Sequence, residues 1–195
     1  MAKLTQDKLM SLETYAKSRD VFRSEVMAHK KNRIVALGDH VTLIFEDELT
    51  MRYQVQEMLR AEKVFEQAGI QEELDAYNPL IPDGCNWKAT MMIEYEDVSE
   101  RRHMLTRLVG IEDKVWVAAV GFDRVYAIAD EDLARSTEEK TSAVHFLRFE
   151  LSKDVAQALQ QGAILSMGVD HTNYQINLPS LPDTVRVSLL RDLQC

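Results

Sequence analysis

Three residues with forked or amide donors fall on one flank of a single helical segment. Arg52, Gln56 and Arg60 are spaced i, i+4 and i+8, with Tyr53 and Glu57 on the neighbouring row. A guanidinium row of this kind grips a carboxylate or phosphate through paired N–H donors. The same row could equally hold acidic residues of a neighbouring helix. A stiff loop follows, from Asn78-Pro79 through Pro82-Asp83-Gly84 to Trp87. Proline fixes φ there and glycine is free to take a positive one. Such a loop can present polar groups accurately, or serve only as a rigid connection. The candidate ligand- or partner-binding set is therefore Arg52, Gln56, Glu57, Arg60, Asn78, Asp83 and Trp87.

Other reactive types are scattered. Glu100-Arg101-Arg102-His103 is a Glu-x-x-His on a helix. A di-iron site needs a second copy and two further glutamates on facing helices, and the chain offers one copy. His145 lies inside a strand and reads as a paired, structural histidine. His40 and His171 lie in turns. Cys85 follows Gly84 and is the one plausible nucleophile, with no histidine beside it in sequence. The sequence has no P-loop, no GxSxG elbow, no HExxH and no CxxC. No catalytic role is assigned, and neither a cofactor nor a metal is expected.

The elements that must position these groups follow from periodicity. Thr5 is placed as an N-cap, with Leu4 and Leu9 as a hydrophobic staple, for a helix to about Lys17. Asp20 is placed to cap a second helix reaching the lysines near 30. Ile34–Leu37 and Val41–Phe45 flank Gly38-Asp39 as a hairpin. Met51, Val55, Met58, Leu59 and Phe65 mark the buried stripe of the next helix, which starts at Glu46-Asp47-Glu48 and is expected to stop at Gly69. A short helix ends at Asn78-Pro79. Lys88–Tyr95 reads as a strand, and Asp97-Val98-Ser99-Glu100 opens a helix. Further hairpins are expected at 115–128 and 164–178, with a solvated excursion at 130–140, a long strand at 142–151, and a terminal helix after Pro182. The order gives an α+β fold, an antiparallel-dominated sheet built from hairpins with helices packed on it. One domain covers 1–195, as a helical N-terminal segment (1–31) and an α+β body (32–195).

Bulk properties narrow the function classes. Apolar residues at 46% suffice for a core, and a net charge of −9 opposes nucleic-acid binding. No apolar run approaches the ~20 residues of a membrane span, and MAKLTQDKL lacks a secretory signal pattern. Cys85 and Cys195 do not make a disulfide framework, and a reducing, cytoplasmic setting suits them. The terminal helix could mediate a homodimer.

HVTLIFED, RYQVQEMLRAEKVFEQAGIQEELDAYNPLIPDG and the strand carrying Ile93-Glu94 resemble an uncharacterised bacterial domain-of-unknown-function family. The likeness spans most of the chain and is strongest from Val41 to Tyr95. Members of that family are often encoded beside rubrerythrin and a cysteine-rich iron–sulfur oxidoreductase. The resemblance implies a non-enzymatic accessory or partner role near peroxide handling or electron transfer, with a rubrerythrin-like or iron–sulfur protein as partner. The alternative is a small-anion binder or enzyme using the 52–60 helix face and the 78–87 loop.

Overall fold

A computed structural model describes residues 3–195. Its strands form two antiparallel sheets. β1 (Ile34–Leu37), β2 (Val41–Phe45), β3 (Asn86–Ile93), β7 (Val144–Glu150) and β6 (Ile128–Ala129) lie side by side in that order. β5 (Val125–Tyr126), β4 (Val115–Ala119), β8 (Leu165–His171) and β9 (Tyr174–Leu178) make the second sheet. Period-two alternation sends Val41, Leu43 and Phe45 of β2, and Leu147 and Phe149 of β7, into one core with Val115, Val117, Met167 and Val169. The expected antiparallel α+β class holds, as two sheets that share a core.

Two glycines have stated work. Gly38 turns the first hairpin at φ 76°. At Gly168 an added Cβ would sit 2.2 Å from the Ile176 carbonyl and 2.5 Å from the Trp116 ring, so only glycine lets β8 pass there.

The helices on the N-terminal side keep apolar clusters of their own. α1 (Leu12–Lys30) contributes Tyr15, Phe22 and Val26, which pack with Tyr53. α2 (Glu48–Glu62) and α3 (Gln67–Tyr77) bury Met51, Val55, Leu59 and Leu74 with Leu4 and Ile81. Asp47 and Thr50 form a reciprocal cap at the start of α2.

Several boundaries differ from expectation. The two expected N-terminal helices are one 19-residue helix, capped by Ser11, and Thr5 makes no side-chain cap. Ser11 accepts from the Thr14 N–H, and Asp20 sits mid-helix on the solvent side, where nothing interrupts the backbone ladder. α2 ends at Lys63 in a left-handed conformation, φ 56°, not at Gly69, which lies inside α3. Phe65 consequently leaves the stripe and is 72% exposed. The remaining helices are α4 (Val98–Arg107), α5 (Lys153–Gln160) and α6 (Asp183–Leu190). Among the described residues, no helix is long and apolar enough to cross a membrane.

The cysteines overturn their expectation: Cys85 and Cys195 form a disulfide, with Cα atoms 5.4 Å apart. The chain end returns to the 82–85 loop because Leu193 is buried and the Gln194 N–H donates to the Gly84 carbonyl. Asp192, also buried, bonds the guanidinium of Arg33. That guanidinium donates as well to the Phe45, Glu46 and Ser188 carbonyls. Arg33, the last residue of the basic cluster 29–33, is thus an internal clamp on the C-terminal segment, 1% exposed.

Candidate functional site

The flank of α2 is occupied from inside. Gln56 is fully buried, accepting from the Met10 N–H at 2.6 Å and donating to the Met10 carbonyl at 3.3 Å. Glu57 takes both forks of Arg19 (2.8 and 2.6 Å) and the Tyr15 hydroxyl at 2.7 Å. Arg19 and Tyr15 outweigh the burial of Glu57 and bring its carboxyl down to about 2. Burial and the Glu57 charge push the Tyr15 phenol up. Arg52 lies 5.1 Å over the Phe22 ring, and its buried Nε has no hydrogen-bond partner. Arg60 stands apart: its Nε is 3.5 Å from Glu57 and its side chain is 45% exposed. The row reads α1 and the N-terminal segment. It holds a basic neighbour through Glu57 rather than an acidic one through its arginines.

The loop half of the candidate set lies elsewhere. Asn78 and Asp83 line a cleft of about 830 Å³, together with Cys85, Asn86, Lys88, Glu131 and Arg148; Arg52, Gln56, Glu57 and Arg60 do not line it. Asn78 straps the N-terminal segment: its Oδ1 accepts from the Leu4 N–H at 2.7 Å and its Nδ2 donates to the Leu4 carbonyl at 3.0 Å. Asp83 is the exposed member (65% of its side chain), bonded to Asn86 Nδ2 at 2.6 Å and Lys88 Nζ at 3.3 Å. Partial burial would raise its carboxyl, but Asn86 and Lys88 together hold it below the ordinary value. Trp87 points the other way. It is fully buried, its indole N–H donating to the Leu189 carbonyl at 2.9 Å, so it fixes α6 and cannot touch a ligand. Across the cleft, Arg148 holds Glu131 in a bidentate pair (2.7 and 2.8 Å) and Glu150 at 2.5 Å. Hydrogen bonding to Arg148 depresses Glu131.

A second polar cluster is buried where the two sheets meet. Glu112 precedes β4, Asp130 follows β6, and His145 stands on the inward face of β7. Their side chains are 8%, 9% and 0% exposed. His145 Nδ1 lies 2.6 Å from Asp130 Oδ2, and Arg135 reaches Asp130 at 3.3 Å. His145 Nε2 lies 2.8 Å from Thr141 Oγ1, 3.1 Å from the Ser142 carbonyl and 3.9 Å from Glu112 Oε2. Ser136 donates to the other Glu112 oxygen. The expected solvated excursion at 130–140 is therefore pinned to the body by Asp130, Arg135 and Ser136.

Sequence reasoning singled out Asn78 and Asp83, which line the cleft, but joined them to a helix face that does not, and it missed Cys85–Cys195, Arg33–Asp192 and the His145 cluster. His145 carried one signal, a titratable residue on the inward side of an otherwise apolar strand. Its partners, 15 and 33 residues away, carried none.

Two stacked antiparallel sheets with flanking helices, a disulfide-rimmed cleft and a buried His–carboxylate corner define the class to which this chain can be compared. The family model for "Protein of unknown function (DUF3501)" matches residues 3–193, and the chain belongs to that family. A solved relative is a crystal structure, at 1.90 Å, of a novel protein of unknown function from Burkholderia pseudomallei K96243. It is 54% identical, with TM-score 0.94, over 99% of this chain and 100% of that one. No curated protein matches.

Proposed function

We propose that this chain is a non-enzymatic accessory protein of a rubrerythrin-linked, peroxide-handling redox module. It docks a rubrerythrin-like or iron–sulfur partner against the cleft wall formed by residues 78–86. The gene neighbourhood implied by the family resemblance supports the module. One structural observation carries the docking face: the Cys85–Cys195 disulfide stands on the cleft lining, and Cys195 is exposed. A bond so placed is open to a protein dithiol, which would supply two electrons and two protons and itself become a disulfide. Opening the bond leaves the Cys85 and Cys195 thiols at the wall and changes what the cleft presents, while Leu193 and Asp192 still hold the tail.

A small-anion site is the weaker reading. The cations on the cleft, Lys3, Lys88 and Arg148, face Asp83, Glu131, Asp132 and Glu150. Lys88 and Arg148 are already paired, so an anion would have to displace a carboxylate.

The test is gel filtration and calorimetry with a purified rubrerythrin-like protein, using the oxidised and reduced chain. A complex should form, differ in affinity between the two redox states, and weaken at least about tenfold with Asp83→Lys. Absence of a complex in both redox states overturns the reading.

A further inference from the structure

The corner built by Glu112, Asp130 and His145 is crowded with acceptors. His145 Nδ1 meets Asp130 Oδ2, so Nε2 is the ring nitrogen turned into the corner. Around Nε2 stand the Ser142 carbonyl at 3.1 Å and Glu112 Oε2 at 3.9 Å, both acceptors. Thr141 Oγ1 is 2.8 Å from Nε2 and 3.2 Å from the same Glu112 oxygen, so its single proton is wanted by two groups at once. His145 Nε2, the Ser142 carbonyl, Glu112 Oε2 and the Thr141 hydroxyl thus converge in a nearly dry corner, with the Ser136 hydroxyl 2.9 Å from Thr141 at its edge. A proton on Nε2 would meet the Ser142 carbonyl and leave the Thr141 hydroxyl free for Glu112. A divalent cation would satisfy all four.

The spacing fits that second solution. Donors about 2.1 Å from one ion in a tetrahedral site lie about 3.4 Å apart, and the four separations above bracket that value. We propose that His145 Nε2, Glu112 Oε2, Thr141 Oγ1 and the Ser142 carbonyl form a closed structural site for a first-row divalent ion that accepts tetrahedral coordination, zinc or cobalt. Asp130 is the outer carboxylate that fixes the imidazole, the usual partner of a metal-bound histidine. One nitrogen and three oxygens suit these ions, and four donors are too few for calcium. No coordination position is left for substrate, so the ion clamps the 130–142 segment to β7 and to the start of β4. That segment carries Glu131 and Asp132, which line the cleft, so the ion also sets one wall of it. This site stands against the sequence expectation of no metal, and it does not depend on the docking proposal.

The experiment uses the full chain, oxidised so that no thiol competes, stripped with a chelator and titrated with Co²⁺ (absorbance at about 500–650 nm) and with Zn²⁺ by calorimetry. One equivalent should bind, with visible bands and a raised melting temperature. Glu112→Gln and Asp130→Asn should each weaken binding about 10–100-fold. The surface pair Glu100→Gln with His103→Ala should leave it unchanged. Should His145→Ala fail to fold, Thr141→Val, which keeps the shape and removes one donor, gives the same reading. The site is overturned if no stoichiometric binding occurs, if Glu112→Gln binds as tightly as the parent with an unchanged circular dichroism spectrum, or if the surface pair abolishes binding.

Discussion

The flank of α2 and the His145 corner are both polar clusters against an apolar core, yet they solve opposite problems. On the flank each acceptor meets a donor: Glu57 meets Arg19 and Tyr15, and Gln56 meets both backbone groups of Met10. Every acceptor there is paired and works as glue; the one group left over is a donor, the buried Nε of Arg52. In the corner acceptors outnumber donors, and three chain segments supply them. A corner rich in acceptors is where a cation adds something; a flank whose spare group is itself cationic has no use for one.

That contrast can be broken experimentally. The largest effect should come from the cleft side, where Cys85→Ser removes a cross-link closing a loop of 110 residues. The loss should be about 2–4 kcal/mol, below the ~4.7 kcal/mol of the chain-entropy limit, because Leu193 and Asp192 still anchor the tail. Urea unfolding of the parent and of the Cys85→Ser variant measures it. On the flank, Glu57→Ala strands Arg19 and Tyr15 and should cost about 2 kcal/mol, less than a fully buried pair because Arg19 keeps contact with water. Gln56→Leu leaves the Met10 N–H and carbonyl unpaired and should cost about 1–2 kcal/mol. Arg60→Ala, from the same row, should change stability by less than about 0.5 kcal/mol. A large loss at Arg60, or none at Glu57, would undo the contrast within the row.

Acidity sharpens the comparison further. The folded-state pKa of Glu57 lies near 2 against an ordinary 4.5. Its contribution is therefore complete above about pH 4.5 and is lost as pH falls toward 2. Asp192 behaves oppositely. Burial, only partly offset by Arg33, pushes it up to about 6. Its folded state holds the proton more tightly, so that contribution is present below pH 3.8 and disappears as pH rises through 6. Melting temperatures from pH 3 to 7 should show a decline between about pH 4 and 6 that Asp192→Asn flattens, whereas Glu57→Gln should flatten the acid limb below pH 4.5.

Much of the scaffold was legible because local chemistry and tertiary structure agreed. Asp97 before Val98-Ser99-Glu100 caps α4 as its pattern implies, and Gly38 turns the first hairpin. Misreadings arose where a local signal was overridden. Lys63 takes the left-handed position that Gly69 was expected to supply, and Asp20 is carried through a continuous helix. The site was legible only in halves. Asn78 and Asp83 reached the cleft because turn chemistry keeps loops at the surface. The i, i+4 row misled because spacing reveals which side chains share a face, not what covers that face. Cys85 and Cys195, and Asp130 and His145, meet through sheet register and the return of the chain end, which no short-range pattern encodes.

On the docking proposal, the disulfide-rimmed cleft, and not the α2 flank, is the surface that meets the partner. Calorimetric titration of a rubrerythrin-like protein into the parent chain, Asp83→Lys and Arg60→Glu tests it most directly. Docking at the cleft predicts that the Asp83 variant loses at least about tenfold in affinity while the Arg60 variant binds as the parent does. Unchanged binding by Asp83→Lys together with loss in Arg60→Glu would contradict it.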